Sequence, residues 1–216
     1  APADDQPTIG VWRGEVSSDG WVELPATIAG VSLYVESGSV LVLESGEEGN
    51  ENPAVVRADE GETLAVPEAG ASIRADGGNI ARLYIAGLVT NEAAASIGET
   101  ILPAFSAVWT SVLESPPQDA VSISVSTIAP AEGSGTWPSL SPNPSLVSTT
   151  GDGADVRTAP GVQQPISANG AGAQEIPPDV IFSVVGEGST EGLLVTYEPT
   201  NVAVAAYGCA GRCWIR

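Results

Sequence analysis

Short runs of β-branched residues, separated by clusters of Gly, Pro, Asn, Asp and Ser, recur along this 216-residue chain. The pattern is typical of all-β proteins, because β-branched side chains favour strands and the small polar residues favour turns. In Val121–Ile128 apolar residues alternate with hydroxyl-bearing ones, which predicts a strand with one buried face. Only residues 91–98 are predicted to be helical, with Asn91 as the N-cap.

The strand density of the first half predicts a sandwich or barrel. Val31–Val35 and Val40–Leu43 flank a turn that contains Gly38, so we expect them to form a hairpin. Further strands are predicted at residues 54–57, 62–66, 71–74, 80–89 and 105–113. Residues 130–145 are predicted to be a loop around Trp137.

An internal repeat divides the chain into two similar units. Gly61 precedes Pro67 by six residues and Gly172 precedes Pro178 by the same distance, and in both halves a hairpin and an apolar strand follow. Pro116 and Pro117 mark the predicted boundary. We predict an N-terminal extension with one strand (1–19), a first unit (20–115), a second unit (118–200) and a C-terminal strand with a cysteine-containing tail (201–216).

Two segments resemble motifs of the cupin superfamily, whose members are small jelly-roll β-barrels. Tyr34–Val40 is similar to the end of the first cupin motif, and Gly61 through Pro67 is similar to the start of the second. Together with the repeat, the resemblance implies a degenerate bicupin: an all-β chain of two tandem cupin-like barrels with little helix.

The resemblance also shows which residues are missing. In the superfamily two histidines and a glutamate precede the first glycine, a third histidine follows the proline, and together they hold a metal. The corresponding positions here are Pro25, Thr27, Val31 and Ser72 or Ile73 in the first unit, and Pro144 or Leu146 in the second. Since none is a histidine or an acidic residue, we expect no transition metal and no other cofactor in either unit.

The composition argues against an enzyme. The chain has no histidine and no lysine, so it lacks the usual general base and the usual Schiff-base residue. A serine triad would have no base, and a Gly-x-Ser-x-Gly elbow is absent from the sequence. We therefore predict no catalytic residues.

The net charge of −20 argues against nucleic acid as a partner, because a phosphate backbone would be repelled. No apolar run is long enough for a membrane span. Clustered oxygen ligands suit calcium, and the candidate calcium site is the acidic loop containing Glu47, Glu48, Asn50 and Glu51.

Cys209 and Cys213 can close a small disulfide ring, bridge two chains or remain free thiols, and the spacing leaves these alternatives open. The first two imply an oxidising compartment. The start, Ala1 through Pro7, looks like the mature end left by a removed signal peptide. We expect a secreted protein.

Two functions fit these features. The first is a secreted, non-catalytic structural protein, a metal-free bicupin that binds copies of itself or a surface partner, as a filament or surface-layer subunit does. The second is an extracellular module that binds a small ligand or carbohydrate. Candidate interaction residues are Trp12, Trp137 and Trp214. The strand Thr8–Val16 either covers an edge of its own unit or pairs with a neighbouring subunit.

Overall fold

The computed structural model describes residues 7–25, 28–44, 55–66, 71–97, 102–112, 121–128, 135–138, 145–150, 154–158, 162–166, 174–176, 181–186 and 191–199. These residues form strands with almost no helix, as predicted.

The first half contains β1 (Pro7–Val16), β2 (Val22–Leu24), β3 (Ala29–Ser37), β4 (Ser39–Glu44), β5 (Val55–Asp59), β6 (Thr63–Ala65), β7 (Ala71–Ala75), β8 (Ala81–Thr90), α1 (Asn91–Ser96) and β9 (Phe105–Val112). The second half contains β10 (Val121–Ile128), β11 (Gly135–Pro138), β12 (Ser145–Thr150), β13 (Ala154–Thr158), β14 (Val162–Ile166), β15 (Gln174–Ile176), β16 (Ile181–Gly186) and β17 (Glu191–Pro199).

The strands form four antiparallel sheets. Sheet I has the order β6-β3-β8-β1-β9 and sheet II the order β2-β7-β4-β5. Sheet III has the order β10-β17-β12-β15 and sheet IV the order β11-β16-β13-β14. Every strand of sheets III and IV corresponds to the strand nine places earlier in the chain, so sheet III repeats β6-β3-β8-β1 and sheet IV repeats sheet II. The predicted repeat is therefore a repeat of topology, and β9 is the strand without a counterpart among the described residues.

The repeat begins at β1, which corresponds to β10. The predicted separation of residues 1–19 from the first unit is wrong, because β1 lies inside sheet I between β8 and β9. Its register with β8 runs from Pro7 opposite Thr90 to Val16 opposite Ala81. β1 therefore pairs within its own unit and is not free to add to a neighbouring subunit. The tail at 201–216 lies outside the described residues.

The predicted hairpin around Gly38 is also wrong. β3 belongs to sheet I and β4 to sheet II, so the chain crosses between sheets at Gly38, whose φ is +84°. The chain crosses again at Gly61, with φ +83°, between β5 and β6. Glycine adopts this left-handed conformation without a Cβ penalty. The strands on either side of such a glycine thus belong to opposite sheets, and both bury side chains in the same core.

Sheets I and II enclose that core. Alternate residues of β3 and β8 point inward, among them Val31, Leu33 and Leu83, and they meet Val40 and Ile73 of sheet II in one buried apolar cluster. Fully burying such a side chain contributes about 1.5–3 kcal/mol. The first core is therefore continuous from one sheet to the other.

Two local predictions need correction. The N-cap of α1 is Thr90 and not Asn91, because the Thr90 side-chain oxygen accepts a hydrogen bond from the backbone N–H of Ala93 at 3.2 Å. The predicted loop at 130–145 contains β11, which pairs with β16.

Candidate functional site

The family's metal-ligand positions on β3 and β7 are occupied by core residues or face away from the core, and Pro25, just after β2, is partly buried. Val31 is 5% exposed and Ile73 is fully buried, and both belong to the first apolar cluster. Ser72 lies on the opposite face of β7, where the burial pattern alternates. Thr27 and Pro144 lie outside the described residues, and Leu146 lies in β12, opposite Val195 of β17.

Alternation in the strands explains this arrangement. In β3 and β7 every second residue points into the core, and at those positions the sequence has Val31 and Ile73. Hydrocarbon side chains have no lone pairs to donate to a metal ion. The residues present do not fit the metal of the superfamily, and the part of the chain that the structure describes contains no group of three His, Cys, Asp or Glu suited to hold one.

Trp12 is a core residue and not a surface contact. Its side chain is fully buried in the first apolar cluster. A Cβ on Gly10 would come within 2.5 Å of Cζ2 of the Trp12 ring, so the glycine leaves room for the indole. Trp12 therefore cannot serve as an exposed interaction residue in the folded chain.

For the other predicted site residues, the structure neither supports nor contradicts a functional role. Trp137 lies in β11, opposite Phe182 of β16. Trp214, the cysteine pair Cys209 and Cys213, and the candidate calcium ligands Glu47, Glu48, Asn50 and Glu51 lie outside the described residues.

An exposed aromatic site that the sequence analysis missed is formed by Trp21 and Arg74. Trp21 is 39% exposed, and the guanidinium carbon of Arg74 lies 4.5 Å from its ring centroid. Trp21 precedes β2, and Arg74 lies on the outward face of the adjacent strand β7. Cation–π contact of this kind holds an exposed ring in one orientation. The sequence feature that could have indicated this site is the polar turn before Trp21, because a side chain next to such a turn is expected to be exposed.

Two arginines border an open groove of about 640 Å³ formed by β1, β8 and the start of β9. Arg13 forms a two-pronged ion pair with Glu36, in which Nε donates to Oε2 at 3.0 Å. Arg82 donates to Oε1 of Glu15 at 2.7 Å. Because each of these arginines is already matched by a carboxylate, the groove is not a strong anion site.

A second charged cluster joins β4 and β5 on the surface. Asp59 accepts hydrogen bonds from the Ser39 hydroxyl at 2.7 Å and from Nε of Arg57 at 3.0 Å. Arg57 also pairs with Asp76 at 3.1 Å. The Ser39 hydrogen bond, and then the Arg57 hydrogen bond, lower the pKa of Asp59 below its ordinary value. Donors within sheet II satisfy the Asp59 carboxylate, and the cluster thereby links β4 to β5. We call the cluster of Ser39, Arg57, Asp59 and Asp76 the surface clamp.

The outward face of sheet I carries a second apolar cluster, which joins the two halves of the chain. Ile123 and Val125 of β10 are buried there in the same cluster as Val11 of β1. The Thr63 hydroxyl donates a hydrogen bond to the backbone carbonyl oxygen of Val125 at 2.7 Å. The halves are therefore packed together through β10.

Among the described residues, no helix is long and apolar enough to cross a bilayer.

The chain matches no protein-family model and no curated protein. Three of the solved structures to which it is similar are the following. A cupin 2 conserved barrel domain protein from Leptotrichia buccalis has 14% identity and a TM-score of 0.36, with 89% of this chain and 84% of that chain covered. Oxalate decarboxylase from Bacillus subtilis, a protein with Mn(II) centres, has 12% identity and a TM-score of 0.44, with 93% and 72% covered.

YhaK from Escherichia coli has 14% identity and a TM-score of 0.49, with 86% of this chain and 82% of that chain covered. No inference about catalysis follows from these likenesses.

Proposed function

We propose that this chain is a non-catalytic structural protein, built as two tandem metal-free cupin-like barrels, which acts outside the cell by associating with copies of itself. The observation that carries the proposal is the packed apolar core at the family's ligand positions. Val31 and Ile73 stand where the family has a glutamate and, by one alignment of the second motif, a histidine, and both are buried in hydrocarbon.

The surroundings of these positions support the same conclusion. The fully buried rings of Trp12 and Phe105 belong to the same cluster as Val31. Protein cores are close-packed, and the buried rings of this cluster take up space that a metal and its substrate would need. The interior of the first unit is therefore that of a stable structural domain.

The joint between the halves also favours a structural role. Ile123 and Val125 pack on sheet I, and the Thr63 hydroxyl bonds to the backbone of β10. Buried apolar contact combined with a hydrogen bond resists hinge motion between the units. A rigid subunit loses little conformational freedom on assembly, which favours association.

Two further features belong to the proposal. Location outside the cell accords with the cysteine pair, Cys209 and Cys213, which can form disulfides only in an oxidising compartment. The acidic residues Glu47 and Glu48 offer oxygen ligands that calcium prefers.

The test is the mass of the full chain in solution across a wide concentration range, combined with elemental analysis. We expect a mass above that of one chain that falls on dilution, and no stoichiometric Mn, Fe, Ni, Cu or Zn. A protein that is monomeric at every concentration would contradict the structural proposal. Stoichiometric transition metal would contradict the metal-free core.

One observation favours a second candidate, a carbohydrate-binding module. Exposed aromatic rings are platforms for ligand stacking, and Trp21 is held in place by Arg74. A glycan array with the native protein and Trp21→Ala tests this role. Ile80, which is 60% exposed, supplies the matched control, Ile80→Ala. Binding that is lost only in Trp21→Ala would favour the module.

A further inference from the structure

Proteins protect the edges of their sheets because an unpaired edge can bind another chain. The four sheets present eight edge strands, and six are short or carry charge or proline. The short ones are β2, β6 and β15, with three residues each. The charged one is β5, with Arg57 and Asp59, and those with proline are β11 and β14. Among the edge strands that the structure describes, only β9 and β10 are long, uncharged and without proline, at eight residues each.

The edge strand β10 is covered by its own chain. Its residues Ile123 and Val125 pack on sheet I, and the backbone carbonyl of Val125 accepts a hydrogen bond from Thr63. β9 differs, because β1 occupies its inner edge and no described strand pairs with its outer edge. Ser106, Ala107 and Thr110 of β9 are exposed.

An irregularity in β9 does not protect this edge. The register with β1 moves from Val11 opposite Trp109 to Trp12 opposite Ala107, so Val108 is an extra residue in the ladder. Bulges can twist an edge strand away from partners. Here the extra residue packs against the second apolar cluster, which gives the bulge a role within the chain.

Because the chain carries so much negative charge, an edge strand can pair with a second copy only where charge repulsion is weak. β9 itself has no charged residue, and the next strand, β1, carries Arg13 and Glu15. Strands lie about 4.8 Å apart, so β1 strands on either side of a β9–β9 pair would be about 14 Å apart. Salt screens exposed charges beyond about 8–10 Å. Moreover, Arg13 and Glu15 are each already paired, with Glu36 and Arg82.

We propose that the outer edge of β9 pairs antiparallel with β9 of a second copy of this chain, which joins two copies of sheet I into one continuous sheet. An antiparallel pair of identical strands is self-complementary and closes with two-fold symmetry. The product is a dimer and not a filament. This inference rests on the proposed function, and it identifies the outer edge of β9 as the surface through which two copies associate.

The experiment compares two double variants of the full chain by sedimentation velocity. Ser106→Lys with Thr110→Lys places two lysines on the exposed positions of β9. The control, Val55→Lys with Ile80→Lys, adds the same charge at two other positions, which are 55% and 60% exposed. Because both native residues are apolar, the control also tests whether exposed apolar side chains drive association. We expect the β9 variant to be monomeric and the control to dimerise as the native protein does.

Hydrogen exchange of the native protein gives a second readout that needs no substitution. We expect those amides of residues 105–112 that point away from β1 to exchange at least tenfold faster after dilution below the dimer dissociation constant, while the amides of 55–59 do not change. If the native protein associates but the β9 variant associates equally and exchange at 105–112 is unaffected, the β9 interface is wrong and the structural proposal stands. If the native protein never associates, both are wrong.

Discussion

Gly14 and Phe105 lie opposite each other on the neighbouring strands β1 and β9, and the phenyl ring occupies the space where a side chain at position 14 would be. A Cβ on Gly14 would come within 2.5 Å of Cγ of Phe105 and 2.6 Å of the backbone oxygen of Ala104. The ring is 1% exposed and belongs to the first apolar cluster. The glycine therefore allows β9 to join the sheet with its aromatic residue pointing inward.

Replacing this glycine should destabilise the first unit. In Gly14→Ala the new methyl group meets both a buried ring and a backbone oxygen, and overpacking of this kind costs about 1–3 kcal/mol. The measurement is the free energy of unfolding by chemical denaturation. Gly20→Ala is the control, because nothing lies within 4 Å of a Cβ at that position. Equal stability of the two variants would show that the ring and Ala104 move aside at little cost.

The strands were predictable from the sequence, and their pairing was less so. Alternation located β3, β4, β8 and β10, because period-two burial is a local property of the chain. It did not show that the chain crosses between sheets at Gly38, because a hairpin and a crossing both need a turn residue there. The difference lies in the partners, and these are distant in sequence.

The place of β1 was predictable from information already in the sequence. The repeat includes an alternating strand at the start of the second unit, β10, and the first unit needs an equivalent. Thr8–Val16 supplies it, but Gly10 and Gly14 interrupt its apolar pattern and hide the likeness to β10. Those glycines make sense only beside Trp12 and Phe105, which is a tertiary contact.

The motif positions of the candidate site were predictable from the sequence. The motif positions located Val31 and Ile73, and the structure places both in one core. The Trp21–Arg74 contact was not predictable, because it joins residues on different strands whose register the sequence leaves open.

Truncating a side chain at the joint between the two halves should destabilise the whole chain. Ile123 is 3% exposed and packs against sheet I, and replacing a buried Ile with Ala costs about 2–5 kcal/mol. The neighbouring Ser124 is exposed, so Ser124→Ala should change the unfolding free energy by less than about 0.5 kcal/mol. Denaturant unfolding of both variants checks this. A small effect in Ile123→Ala would mean that the two halves are coupled by other contacts.

Manganese should leave the melting temperature unchanged. A ligand that binds only the folded state at 100 times its dissociation constant stabilises that state by about 2.7 kcal/mol. The described side chains that cluster around Val31 and Ile73 are apolar and offer no metal-donor atoms that would produce this gain. The measurement is thermal unfolding with Mn²⁺ and with a chelator. A rise in melting temperature that the chelator reverses, and that Ca²⁺ at the same concentration does not reproduce, would contradict the apolar assignment of the core.

The surface clamp on Asp59 should make one carboxyl group titrate at unusually low pH. The hydrogen bond from Ser39 is the largest cause of the lowered pKa, so Ser39→Ala should raise the pKa of Asp59 toward its ordinary value. The clamp stabilises the folded state only while Asp59 is ionised. Its contribution is present above the ordinary pKa and disappears as the pH falls through the lowered pKa. The stability difference between the native protein and Asp59→Asn should therefore shrink in acid. Carboxyl NMR titration measures the pKa directly, with Ser18→Ala as the control for loss of a hydroxyl elsewhere. If the Asp59 pKa is the same in Ser39→Ala and in the native protein, Arg57 alone holds the carboxylate and the hydroxyl has no part in the clamp.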